Sequence, residues 1–335
     1  MANASLDRLG QIKGANAVDA LFLKLGISEL LSAFERNCVF KGKVKERSIS
    51  GGKSAAFPVS GRASAAYHVP GSPILGATNS PGDRNEQVIN LDGLLIADQV
   101  IYDLDRLMNY YEDRSDITNQ LGLALAYEWD KRAARVLYAA AKTTTEPLAK
   151  TINANRTGHS ATLSSGYAAA TKNAKGDELI EKISSIKVEM QKADVPTENL
   201  ACVVGPDEYD YLLDSTRAIN TDFNSGGGEN GSFAGGRVLR VKGIDVYESN
   251  HVTQSAYTNG TYDKNTAYQQ NLVKNKAIIF HKDAIGVLTL KAPSLQVTSE
   301  GSSFNIMYQS SLMIARMAIG MNVLRAECAG VIEIP

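Results

Sequence analysis

Apolar and polar positions along the chain change period several times, and each change marks an element. Val18, Leu21, Phe22 and Leu25 fall on one helical face, Gly26 interrupts, and Ile27, Leu30, Leu31 and Phe34 continue as a second stripe. The pattern predicts a short, bent amphipathic helix after a small, polar tail at 1–16. Residues 41–62 then lose helical period, and Pro58 forces Phe57 toward an extended conformation. Residues 63–85 are rich in Gly, Pro, Ser and Ala and read as a long tip. The β-branched segment 86–104 reads as one extended return strand.

A long helix is predicted next. Ile117, Leu121, Leu125, Trp129, Ala133, Val136 and Ala140 step by three or four, with Ser115 or Asp116 as candidate cap. At ~3.6 residues per turn this helix runs to about seven turns. Residues 143–176 are polar and read as loop. A second helix follows, capped by Asp177, with Leu179, Ile183, Ile186 and Met190 as its buried stripe and Pro196 beyond its end. ACVVG at 201–205 reads as a buried strand, and Pro206 suits the first turn of a helix. Strands are predicted in RVLRVKGIDVYES, AIIFHKDAIGVLTL, FNIMYQSSLMIARMAIGMNVL and AGVIEI. The imperfect alternation in the third leaves helix open for part of it. The class is α+β, with no internal repeat.

Composition narrows the function classes. Apolar and charged fractions of 44% and 21% are those of an ordinary globular chain. The net charge of -1 gives the whole molecule no drive toward nucleic acid or an anionic membrane. No apolar run approaches the ~20 residues that span a bilayer, and the N-terminus lacks the apolar core of a signal peptide. A soluble product made or assembled inside a cell is expected. Cys38, Cys202 and Cys328 are too widely spaced for a disulfide framework or a zinc site and read as buried thiols.

Charge is distributed unevenly. Residues 41–62 hold six bases (Lys41, Lys43, Lys45, Arg47, Lys53, Arg62) against Glu46 alone, whereas 83–116 hold nine acids and three bases. This predicts a long hairpin, positive on one leg and negative from the other onward. An isolated two-stranded hairpin is marginal in water. It gains stability by lying on a neighbour, and opposite legs would attract identical copies head to tail.

Catalytic motifs fail on context. Gly52-Lys53-Ser54 resembles the end of a phosphate-binding loop, but Arg47 stands where the loop needs its first glycine, and an extended segment rather than a helix follows. Gly226, Gly228 and Gly231 match GxGxxG without a flanking strand and helix. His68, His159, His251 and His281 lack ligand spacing, and Asp103 and Asp105 read as a solvated run. No catalytic, cofactor or metal site is expected. An alternative reading keeps the 224–236 glycine-rich loop as the lid of a phosphate-binding α/β enzyme.

The stretches RSISGGKSAAFPVSGRASAAYHVPG, VINLDGLLIADQVIYDLDRLMNYYEDRS, ACVVGPDEYDYLLD and FNIMYQSSLMIARMAIGMNVLRAECAGVIEI resemble the major capsid proteins of podovirus-type bacteriophages related to the Autographiviridae. The resemblance is tightest over 47–127. It implies the Hong-Kong-ninety-seven-like fold: an N-arm at 1–44, an E-loop at 45–104, a P-domain at 105–175 and 292–322, and an A-domain at 176–291 and 323–335. The P-domain would hold a spine helix at about 115–142. The resemblance also implies self-assembly as hexamers and pentamers into an icosahedral shell around double-stranded DNA, bound without sequence specificity, with a scaffolding protein and a portal as partners. The virion would be its place, and the bacterial host cytoplasm its place during assembly. An encapsulin-like compartment of the same fold is the alternative within this fold class. Candidate inter-subunit contacts are Arg47, Lys53, Phe57 and Arg62 in the E-loop and Phe22 and Phe34 in the N-arm. No matching carboxylate for a lysine–asparagine crosslink is found, and the N-terminus is too short for a cleaved domain, so a full, uncrosslinked chain is expected in the particle.

Overall fold

The computed structural model describes residues 29–34, 37–60, 67–68, 70–71, 84–102, 104, 113–144, 157–215, 231–232, 237–238, 240–257, 265–298 and 302–335. Phe22, Arg62, Asp103, Asp105 and Gly226 lie outside them, with most of the expected tip and most of the glycine-rich loop. The chain divides into two compact units: unit 1 is residues 1–38, 93–130 and 289–319, and unit 2 is residues 39–92, 131–288 and 320–335.

The strands, in chain order, are β1 Lys45–Ser48, β2 Ser54–Ser60, β3 Arg84–Asn90, β4 Leu94–Tyr102, β5 His159–Thr162, β6 Leu200–Val204, β7 Gly231–Ser232, β8 Arg237–Val238, β9 Arg240–Val241, β10 Ile244–Glu248, β11 Asn275–His281, β12 Ile285–Val297, β13 Ser310–Val323 and β14 Ala329–Glu333. The helices are α1 Asp113–Ala141, α2 Lys172–Lys192, α3 Pro206–Asp214 and α4 Ser303–Tyr308. Residues 29–34 are also helical, with Leu30 and Phe34 buried.

The stripes read from the sequence for α1 and α2 are their buried faces, whereas Val18 to Ile27 of the first predicted helix lie outside the described residues. All seven residues of the predicted stripe of α1 are buried, from Ile117 to Ala140. So are Leu179, Ile183, Ile186 and Met190 of α2. That helix starts earlier than expected. Thr171 is its N-cap and Asp177 lies inside it, accepting a hydrogen bond from Ser215 Oγ at 2.7 Å. The 143–176 segment is not all loop, because β5 and the start of α2 fall in it.

Unit 2 is built on a six-stranded mixed sheet ordered β5-β14-β11-β6-β10-β9. β6 is buried along its whole length, as the uninterrupted apolar run LACVV requires. Gly330 on β14 lets Ile186 of α2 sit against the sheet, since a Cβ there would lie 2.4 Å from the Ile186 Cγ2. Gly176 on α2 admits the Tyr211 carbonyl of α3 in the same way.

A second sheet is ordered β1-β12-β13-β4. β4 pairs antiparallel with β13 from Leu94↔Ala318 to Tyr102↔Ser310. The expected single return strand over 86–104 is therefore two. β3 pairs with β2 in a two-stranded sheet of their own, and β4 joins the other sheet, with Leu91-Asp92-Gly93 between them. The ambiguous FNIMYQSSLMIARM segment also splits. Ser302 caps α4 by accepting from the Asn305 N–H, Gln309 turns through the left-handed region at φ 47°, and β13 begins.

Candidate inter-subunit interface

The β2–β3 hairpin is anchored at its base by its own chain. Ala55 faces Ile89 and Phe57 faces Gln87 across the ribbon. Phe57 and Ile89 pack with Leu288 and Leu324 in one buried cluster within unit 2. Gly286 makes room for it, because a Cβ there would meet Ile89 Cδ1 at 2.7 Å and Leu324 Cδ1 at 2.9 Å. Burying a side chain such as Phe57 stabilises by roughly 1.5–3 kcal/mol, which an isolated ribbon could not supply. The opposite face, Ser54, Pro58, Glu86 and Val88, is exposed. Pro58 lacks the N–H a further strand would need, in keeping with a free edge.

The predicted contact residues distribute as follows. Arg47, on β1, donates from Nη1 to the Ala56 carbonyl at 2.8 Å and holds its guanidinium 5.8 Å from the Phe57 ring centre. It braces the hairpin. Lys53 follows Gly52, whose φ of +108° turns the chain into β2. The Lys53 carbonyl accepts from the Leu91 N–H at 2.9 Å, closing the base of the ribbon, while its side chain is exposed. Phe57 and Phe34, at 5% and 2% accessibility, are spent on packing within their own chain, which leaves them little surface for a neighbour. The acids expected on one leg are spread out: Glu86 is exposed on β3, Asp92 at the strand break is half-buried with its side chain turned inward, and Asp98 is exposed on β4.

Sequence reasoning missed a second surface, which lies wholly on unit 1. Along β4 the side chains of Leu94, Ile96, Val100 and Tyr102 share one face and are all exposed. Beside them across the β4–β13 pairing lie Leu312 and Ile314, which are only half-buried. Helix α4 adds Ile306, Met307 and Tyr308, exposed at 62%, 73% and 58%. Ten of the fourteen exposed large hydrophobics among the described residues belong to unit 1. Such a concentration is more than the singly scattered apolar exposure of an ordinary surface. The extended character of LLIADQVIY was legible. What it lacked was any sign that its apolar side faces outward.

The phosphate-loop reading of Gly52-Lys53-Ser54 finds no support in the local geometry. Lys53 lies in a glycine turn that opens a strand, so no helix N-terminus is present to cradle a phosphate. Among the described residues no cluster of His, Cys, Asp and Glu could hold a metal ion. Burial pushes the Cys202 thiol up to about 12, far from thiolate reactivity. No helix described is long and apolar enough to cross a membrane.

The profile of the Gp10A-like family, described as major capsid protein, matches residues 56–333. The chain is 31% identical to the major capsid protein of Escherichia phage T7 over 329 residues, covering 93% of this chain and 91% of that protein. Its fold superposes on the capsid structure of the cyanophage P-SCSP1u with a TM-score of 0.76 and 33% identity, covering 100% of this chain and 99% of the other. The mature capsid of bacteriophage PhiM1 shares the fold at a TM-score of 0.68 and 18% identity, with coverage of 89% and 87%.

Proposed function

The chain belongs to the Gp10A-like family of major capsid proteins, and we propose that it builds the head of a short-tailed bacteriophage by closing hexamers and pentamers into an icosahedral shell. Its fold is the Hong-Kong-ninety-seven-like capsid fold, and its work is structural. The proposed division keeps the N-arm at 1–44, the E-loop at 45–104, the P-domain at 105–175 and 292–322 and the A-domain in the remainder. The E-loop reaches a neighbouring copy, with Lys53 presenting a free charge and Arg47 and Phe57 holding the ribbon that carries it. A second copy of the chain covers the apolar surface of unit 1. Double-stranded DNA is enclosed without base readout, in keeping with a net charge of -1. Assembly proceeds in the host cytoplasm with a scaffolding protein and a portal, and the finished subunit performs no catalysis.

The observation that carries this reading is the concentration of exposed apolar side chains on unit 1 in a chain whose family forms capsids. Negative-stain electron microscopy of the protein, expressed alone and with a scaffolding partner, tests it. Closed shells, or sheets and tubes of hexameric units, are expected. Particles that stay monomeric or dimeric under both conditions would overturn it.

A further inference from the structure

The return leg of the hairpin ends at a buried charge. Asp92 follows directly on the Leu91 whose N–H closes the ribbon against Lys53. Its side chain is only 6% accessible. The hydroxyl of Tyr268 donates to Asp92 Oδ2 at 2.6 Å, and Arg132 Nη1 of α1 lies 3.9 Å from the same oxygen. The Arg132 guanidinium also stands 5.3 Å from the centre of the Tyr268 ring. All three residues belong to unit 2.

Tyr268 is itself fixed. It is fully buried and ends the short turn Thr266–Tyr268, which Asn265 caps by accepting from the Ala267 N–H at 3.0 Å. The Asn265 amide in turn donates to the Met321 carbonyl at the end of β13. One residue earlier, Gly320 lies under the hairpin base. A Cβ there would be 2.1 Å from the Asn90 carbonyl oxygen and 3.0 Å from Leu91 Cα. The chain therefore crosses β13 at van der Waals distance and immediately delivers a carboxylate into a prepared donor set.

A buried ion pair is weak evidence for added stability, because desolvation consumes most of its attraction. It is strong in direction, because a displaced carboxylate would be left buried and unpaired. Packing at Phe57 and Ile89 holds the ribbon down. Asp92 fixes where it ends.

We infer that Asp92, with Tyr268 and Arg132, is a positioning latch for shell assembly: it sets the hairpin in one geometry on unit 2 before a neighbour is met. Preorganisation of this kind lowers the ordering cost of association. The inference rests on the reading of the hairpin as an inter-subunit arm.

The test uses the unassembled full-length subunit and two variants, Tyr268→Phe, which deletes one hydroxyl, and Asp92→Asn, which keeps the shape and removes the charge. Hydrogen exchange is followed separately for the β2–β3 amides and the β6 and β11 core amides. In both variants the hairpin amides are expected to exchange about tenfold faster or more, the loss expected of a buried charge-assisted bond, with the core amides unchanged. The protein concentration needed for shells should rise in step. Should Asp92→Asn fail to fold, Tyr268→Phe carries the comparison. Unchanged hairpin exchange in Tyr268→Phe, or an equal rise across hairpin and core, overturns the latch. Faster hairpin exchange with shells formed at the wild-type concentration leaves the latch local and overturns its role in assembly, while the arm reading stands or falls separately, on the effect of Lys53→Glu on assembly.

Discussion

Burial penalises the charged form of a histidine, and two histidines of unit 2 are held in that condition. His159 on β5 is depressed below its ordinary 6.5, chiefly by burial, although Glu189 Oε2 at 3.6 Å pulls the other way. Its Nε2 is enclosed without a hydrogen-bond partner. His281, at the end of β11, is lowered for the same reason, and its Nδ1 accepts from the Asp283 N–H at 3.3 Å, a bond that protonation of that nitrogen would forfeit. A depressed pKa means that the folded state binds fewer protons than the unfolded chain. The stability from both groups is thus complete above pH 6.5 and is lost as pH falls through their lower folded values. The melting temperature of the unassembled subunit should drop between pH 7 and about 5, and His159→Gln with His281→Gln should flatten that drop. Equal slopes for variant and wild type in this window would show that the histidines are not its source. Neither environment was legible in the sequence, where His159 lies in a polar stretch and His281 beside a Lys-Asp turn. Each is created by partners distant along the chain. Phe57 was legible as an apolar residue in an extended leg. Its partners Leu288 and Leu324 were not, so its burial had no local sign.

At the level of elements, backbone proximity overrules propensity. Gly176 sits within α2, where alanine would favour the helix by ~1 kcal/mol. A Cβ there would stand 2.1 Å from the Tyr211 carbonyl oxygen and 2.9 Å from the Ser215 Cβ. Backbone cannot rotate aside, so the clash wins: Gly176→Ala should lower stability by about 1–3 kcal/mol, as overpacking does. Gly51→Ala has nothing within 4 Å and should stay within about 0.5 kcal/mol of wild type. Urea titration of the two separates the effects, and a stabilised Gly176→Ala would show that α2 and α3 are free to part. Helices α1 and α2 were legible because their period is local, and their predicted stripes are buried faces. The division of 86–104 was not. Strand-forming residues flank Leu91–Gly93 on both sides, and only the Asp92-Gly93 pair marks a turn. Which sheet each half joins is decided by β2 for β3 and by β13, far along the chain, for β4.

For the whole molecule, two kinds of surface are proposed to meet copies of the chain, and salt tells them apart. Lys53 is one exposed charge, and an exposed pair contributes ~0–1 kcal/mol. It acts over a screening length of ~10 Å at 0.1 M salt and ~3 Å at 1 M. Ile306 and Met307 on α4 are apolar and exposed, and burying each against a neighbour stabilises by roughly 1.5–3 kcal/mol, a term that salt does not screen. Lys53→Glu should therefore raise the concentration needed for shells by up to about fivefold at low salt, and the difference from wild type should fade by 1 M. Ile306→Asp with Met307→Asp should leave the subunit folded, because both side chains already stand in water, yet stop shell formation at either salt. Light scattering across a salt series, with circular dichroism of the unassembled subunit as the folding control, reads both. If the double variant assembles normally, the apolar surface of unit 1 is not what a second copy covers. If Lys53→Glu blocks assembly equally at 1 M salt, its effect is not electrostatic. The near-neutral chain sharpens the comparison: with a net charge of -1, whole-molecule repulsion is too small to imitate either outcome.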